Sequence, residues 1–173
     1  MTPKKPVAHV EGHPIFKEFR EAHPRSYLVH LFQLVETTPK QGSEGEPGWE
    51  VGYYNPDDDQ VTVFEVQSDA SVTAKPSERA YKEEKTSIPP LKLEKVNVSY
   101  DQALKKIQSL QCESYPQEKP MKIMVLLQSL DDLGTLWNMT YITQRFKTLN
   151  VKINAENGDV VDQKLFSIFE IQK

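Results

Sequence analysis

Four histidines, His9, His13, His23 and His30, fall within the first 30 residues, and imidazoles are common ligands of metal centres. Such a centre needs three or four donors converging on one point. Here His13 and His23 bracket one helical segment at opposite ends, and no carboxylate sits at ligand spacing, so neither a metal nor a cofactor is expected. Asp57-Asp58-Asp59 supplies carboxylates but lacks the alternate spacing and the glycine of a calcium-wrapping loop; it reads as a solvated turn. Asp131-Asp132 has the same explanation, and no partner completes an acid–base carboxylate pair. No G-x-S-x-G elbow, phosphate loop or dinucleotide fingerprint occurs, and the chain has only 7 glycines to build one. Cys112 is the single cysteine, which excludes an internal disulfide and a thiolate zinc cluster and fits a buried or idle thiol. No catalytic, cofactor-binding or metal residue is therefore assigned, and an enzyme is not expected. Trp49 and Trp137 are candidate binding aromatics, although core packing is the preferred reading. Asn97-Val98-Ser99 and Asn138-Met139-Thr140 match the glycosylation acceptor, which has meaning only for an exported chain.

The 173 residues are 38% apolar and 27% charged, ordinary values for a folded globular protein. A net charge of −4 and a pI near 5.6 argue against a phosphate-backbone surface, which needs clustered Lys and Arg, so no nucleic-acid partner is expected. Lys4 and Lys5 are followed by no apolar run, and no stretch approaches the roughly 18 apolar residues of a membrane span. No membrane insertion is expected. The chain as it stands reads as soluble and cytoplasmic, or as extracytoplasmic if an export signal has been removed.

The elements that must position these residues follow from periodicity. Residues 1–12 read as a flexible tail. Pro14 to Ala22 is a helix candidate, with Pro14 at the first helical position and Ile15, Phe16, Phe19 and Ala22 on one face. Tyr27 to Val35 is rich in β-formers and reads as a buried strand. Thr37 to Gly48 is loop. Trp49, Val51 and Tyr53 alternate, Asn55 to Asp59 turns, and Val61 to Val66 returns as a hairpin. Ser68 to Pro90 is polar, with a short strand at Ser71 to Ala74 and a helical turn within Ser77 to Lys85. Ser99 and Gln102 form a capping-box signature ahead of Ala103, Leu104, Ile107 and Leu110, the apolar face of a second helix. Met121 to Leu130 is a second buried strand.

Asp131 to Gly134 turns into the most informative stretch, Trp137 to Val161. Trp137, Met139 and Tyr141 alternate on one strand, and Leu149, Val151 and Ile153 on the next. Asn157-Gly158 is the signal for a tight two-residue hairpin turn, predicting a third strand from Val160-Val161 through Leu165, Phe166, Ile168, Phe169 and Ile171.

A shift of 88 residues places Phe16 on Leu104, Phe19 on Ile107, Trp49 on Trp137, Tyr53 on Tyr141 and Val63 on Val151, as in a diverged tandem repeat. The runs KVNVSYDQALKKIQS, WNMTY and LNVKINAENGDVV resemble the PepSY domain: Ser99 and Ala103 in the capped helix, Trp137 opening a strand, and Ile153 to Val160 in place of the closing strand. Asn154 stands where that family usually has Asp, and Asn157 where it has Thr. The resemblance spans about Lys95 to Gln163 and implies a helix packed on an antiparallel sheet, a role in regulating or inhibiting peptidases, and no catalytic residues.

The expected fold is α+β, with two tandem helix-plus-antiparallel-sheet units of αβββ type that can share one continuous sheet. A first repeat at 13–75 and a second, PepSY-like one at 95–173 are separated by a linker at 76–94. The expected function is a non-catalytic protein- or peptide-interaction module, peptidase-regulating or inhibitor-like, with unknown partner-binding residues. The alternative is a small-ligand binder or enzyme with a pocket between helices and sheet.

Overall fold

A computed structural model of the chain describes residues 2–37, 47–80 and 88–167. In chain order it contains α1 (Lys4–Gly12), α2 (Pro14–Ala22), β1 (Tyr27–Glu36), β2 (Trp49–Asn55), β3 (Gln60–Val66), β4 (Val72–Ala74) and β5 (Glu78–Arg79). A 3-10 turn (Leu93–Lys95) precedes α3 (Tyr100–Ser114), β6 (Pro120–Leu130), β7 (Gly134–Thr143), β8 (Lys147–Asn154) and β9 (Val160–Ser167). All nine strands belong to one antiparallel sheet of order β4-β3-β2-β1-β6-β7-β8-β9, with β5 also pairing β3.

This corrects the expected fold class. The molecule is dominated by one sheet with short helices on it, not divided into two helix-plus-sheet units. The reason lies in the two most apolar strands. β1 and β6 each carry apolar residues on both faces, and they pair with each other from His30↔Gln128 to Glu36↔Lys122 at the centre of the sheet. A single core then covers one face. Rows such as Phe64, Val51, Leu31, Leu127, Trp137 and Ile153 run across six strands by direct pairing, and they share one cluster with Val10, Phe16 and Ile107 of the helices. Trp49 and Trp137 both meet the ring of Tyr100 edge-on, at 5.6 and 6.1 Å.

Residues 4–12, expected within a loose tail, form α1, whose Pro6, Val7 and Val10 are buried. The Tyr53 hydroxyl donates to Glu11 at 2.9 Å, fastening that helix to β2. Helix α2 has the predicted bounds, with Pro14 in its first turn and the His13 ring as its N-cap. The Ser99–Gln102 capping box is formed in both directions, at 2.8 and 3.2 Å. The helical turn expected within Ser77 to Lys85 is instead strand at Glu78–Arg79, and residues 81–87 lie outside the described residues. So do 38–46 of the expected loop and Ile168, Phe169 and Ile171 of the last strand.

The hairpin at Asn157-Gly158 is wider than two residues. The Asn154 side-chain oxygen accepts from the amides of Glu156 and Asn157 at 2.8 and 3.2 Å, and the Gly158 amide closes on the Asn154 carbonyl at 2.9 Å. An Asn side chain offering a local turn has displaced the tighter one. Gly158 still supplies a positive φ of 83°. The Ala155 carbonyl accepts from the amides of Asn97 and Val98, both at 2.9 Å, so this loop anchors the approach to α3.

Candidate binding site on the uncovered sheet face

Because strand side chains alternate between faces, the residues between the core rows point away from the helices. On the central strands these are Phe32 and Leu34 of β1 and Met124 and Leu126 of β6, paired Phe32↔Leu126 and Leu34↔Met124. Leu34 is 40% and Met124 37% exposed. Their flanks are polar. Asn150 donates to Asn138 and Thr140 at 2.7 and 2.8 Å, and Lys152 meets Asp162 at 2.6 Å. Asp162 is held below the usual carboxylate range by its bond to Lys152.

Towards one end of this face lies a cleft of about 650 Å³. Its floor is His30, whose ring lies directly over the backbone of Gly52, its pairing partner on β2. A Cβ added at Gly52 would fall 2.1 Å from His30 Cε1 and 2.5 Å from each ring nitrogen. Glycine in the middle of a paired strand weakens it, and here it makes room for the close approach. A bulge in β1 between Leu28 and His30 adjusts the strand beside the same spot. Burial lowers the His30 pKa from its ordinary value, opposed by the negative charge of Glu50. The ring has no hydrogen-bond partner among the described residues.

One wall is a small apolar cluster of Val29, Tyr54 and Ala80 with Tyr27, Val61 and Ile88, fixed where the Tyr27 hydroxyl donates to the Ile88 carbonyl at 2.8 Å. The opposite side is Gln128, Ser129, Leu130 and Asp131 at the end of β6. On the rim Lys75 bonds Glu50 at 2.5 Å and lies 3.9 Å from Glu65, and the Glu50 bond raises its pKa. Glu78, Arg79 and Asp131 complete the lining.

The residues singled out from sequence are scattered. His9 meets the Ala70 carbonyl at 2.7 Å, His13 caps α2, and His23 bonds Asn55 at 3.1 Å. No group of three or more His, Cys, Asp or Glu able to hold a metal occurs among the described residues. Asp57 pairs with Arg25 at 2.7 Å, Asp58 accepts from the Gln60 amide, and Asp59 accepts from Tyr54 at 2.7 Å. All three are turn residues, two with local partners and Asp57 with Arg25 from the segment before β1. Cys112 is exposed on α3. Trp49 and Trp137 are 5% and 0% exposed and lie in the core, which Phe16 and Ile107 fill and Phe19 and Leu104 flank. Asn138 faces outward within a paired strand, and Asn97 donates to the Glu156 carbonyl at 3.3 Å. Of the four histidines only His30 enters the cleft. Gly52, Lys75, Glu78 and Gln128 had not been singled out; the one available signal was a glycine inside the alternating strand WEVGYYN.

No helix among the described residues is long and apolar enough to cross a membrane. No family model matches the chain, and no curated protein does. Among solved structures, the fold is similar to that of a putative lipoprotein from Clostridium difficile 630, with a TM-score of 0.55 and 13% identity over 88% of this chain and 90% of that one.

Proposed function

We propose that this protein is a non-catalytic binding module that holds a peptide or protein segment on the uncovered face of its sheet. The observation that carries the reading is the pair of cross-strand apolar pairings Phe32↔Leu126 and Leu34↔Met124 at the centre of the sheet, the first half-buried and the second exposed, with no helix over them among the described residues while three helices pack on the opposite face. Apolar residues grouped on a surface and rimmed by polar ones mark interaction sites. Burial of Trp49, Trp137, Phe16 and Ile107 in the helix–sheet core supports this over a ligand pocket at its centre; a cleft of about 410 Å³ opens at its edge, between α1 and the β2–β3 strands. The PepSY-like features of Ser99 and Trp137 agree with it, and a peptidase-regulating or inhibitor-like role is the form that the resemblance favours. Likeness to a putative lipoprotein favours an extracytoplasmic setting.

The test is selection of peptides from a displayed random library against the whole protein, followed by affinity measurements on Leu34→Lys and Met124→Lys. Both positions are exposed, so the fold should tolerate the changes. Selected peptides should lose about tenfold or more in affinity, as expected when a charge enters an apolar contact. Failure to enrich any binder, or equal binding to both variants, overturns the proposal.

A further inference from the structure

The cleft beside the apolar stripe has a composition of its own. Its walls are apolar, through Val29, Val61, Val63 and Ile88, and its rim is acidic. Glu50, Glu78 and Asp131 line it; Glu50 is bonded to Lys75, Glu78 acts on the same ammonium at longer range, and Asp131 has no ion-pair partner among the described residues. Among the described lining residues, Lys75 and Arg79 stand against these three carboxylates. A long basic side chain matches such a surface, because its methylene stem covers apolar walls while the charged head stays at a polar rim. An acidic side chain would meet like charge there.

We infer that the His30 cleft is a specificity pocket for a Lys or Arg side chain of a bound peptide, its stem lying over His30 and Val63 and its charge at the acidic rim. This rests on the sheet-face reading above. It adds what that reading lacks, namely which side chain is selected. His30 serves as the flat floor, and Gly52 is the residue that lets the floor lie low enough to leave a cleft.

The probes are fluorescein-labelled Val-Lys-Val-Lys-Val-amide and its counterparts with norleucine or Glu in place of Lys. Affinity is read by anisotropy, and occupancy of the cleft by the NMR shift of the His30 Cε1 proton. The Lys peptide should bind about tenfold more tightly than the norleucine peptide, and more tightly still than the Glu peptide. The preference should weaken with salt. In the Glu78→Gln/Asp131→Asn double variant, altered only at exposed positions, the Lys and norleucine peptides should become equivalent. No saturable binding of the Lys peptide up to about 1 mM, equal affinity for the Glu peptide, an unmoved His30 resonance or an unaffected double variant each overturns the inference. If library-selected peptides still bind and are lost on Leu34→Lys, the sheet-face reading survives that outcome. If no peptide of either kind binds, both fall.

Discussion

Three buried polar aromatics at equivalent depth carry different expectations because their polar atoms meet different fates. Trp137 donates its indole N–H to the Val98 carbonyl at 2.9 Å, whereas Trp49 Nε1 and the Tyr141 hydroxyl are buried without a hydrogen-bond partner. Trp137→Phe therefore loses packing and leaves a carbonyl unpaired, costing about 2 to 3 kcal/mol. Trp49→Phe loses packing alone and should cost less, and Tyr141→Phe should be neutral or stabilising because it removes an unsatisfied group. Urea denaturation of the three variants gives the order; a Tyr141→Phe loss comparable to that of Trp137→Phe would contradict it. His30 supplies a pH dependence with a definite sign. Its folded pKa lies below 6.5, so the native state resists a proton that the unfolded chain accepts, and stability falls as pH drops below about 6.5 until the folded pKa is passed. Thermal melts between about pH 7.5 and pH 5.5 should show a smaller fall for His30→Gln than for the parent protein. Gly52→Ala, which pushes the ring off the backbone, should reduce the fall in the same way, by restoring solvent to the imidazole. His30 was visible in the sequence only as the fourth member of a histidine-rich start. What makes it different is Gly52 across the β1–β2 ladder, and such a pairing depends on register, which no spacing within β1 encodes.

Among the elements, those with their own local chemistry were legible. Helix α3 begins at Ser99 because hydroxyl and amide satisfy each other's orphan groups, and Ser99→Ala should cost about 1 kcal/mol, measured by chemical denaturation; an unchanged midpoint would show that the Ala155 loop alone holds the helix start. Helix α2 was legible through Pro14 and its apolar face. Helix α1 was not, since Lys-Lys-Pro-Val-Ala-His-Val-Glu-Gly carries β-branched valines and a weaker apolar face than α2, and its stability comes from burying Pro6, Val7 and Val10 against the sheet. Propensity says little where tertiary packing decides. Val10 is fully buried, so Val10→Ala should destabilise the whole protein by about 1 to 3 kcal/mol rather than merely fray its start. The strands were legible by alternation, and the loop after β8 was misjudged because the side chain that reshapes it, Asn154, precedes the Asn-Gly signal by three residues.

At the scale of the molecule, the sequence correspondence between Trp49 and Trp137 suggested two tandem helix-plus-sheet units able to share one sheet, yet the structure makes one core and one sheet-dominated body of them. Alternation specifies that a strand has a buried face but not which strand it pairs with, and the β1–β6 seam joins segments almost a hundred residues apart. That seam predicts how the protein unfolds. Leu31 is fully buried and pairs with Val51 on one side and Leu127 on the other, so its loss weakens both wings of the sheet together. Leu31→Ala should destabilise by about 2 to 5 kcal/mol while leaving a single transition. The reporters are already in place: Trp49 in β2 and Trp137 in β7 flank Tyr100, so indole fluorescence senses the joined core while far-UV circular dichroism senses the sheet as a whole. With one core, the two signals should coincide through urea denaturation, in the parent protein and in Leu31→Ala alike. Separate fluorescence and dichroism midpoints, or a stable fold in residues 88–173 expressed alone, would mean that the two wings stand independently and that the β1–β6 pairing is a contact between them rather than the centre of the structure.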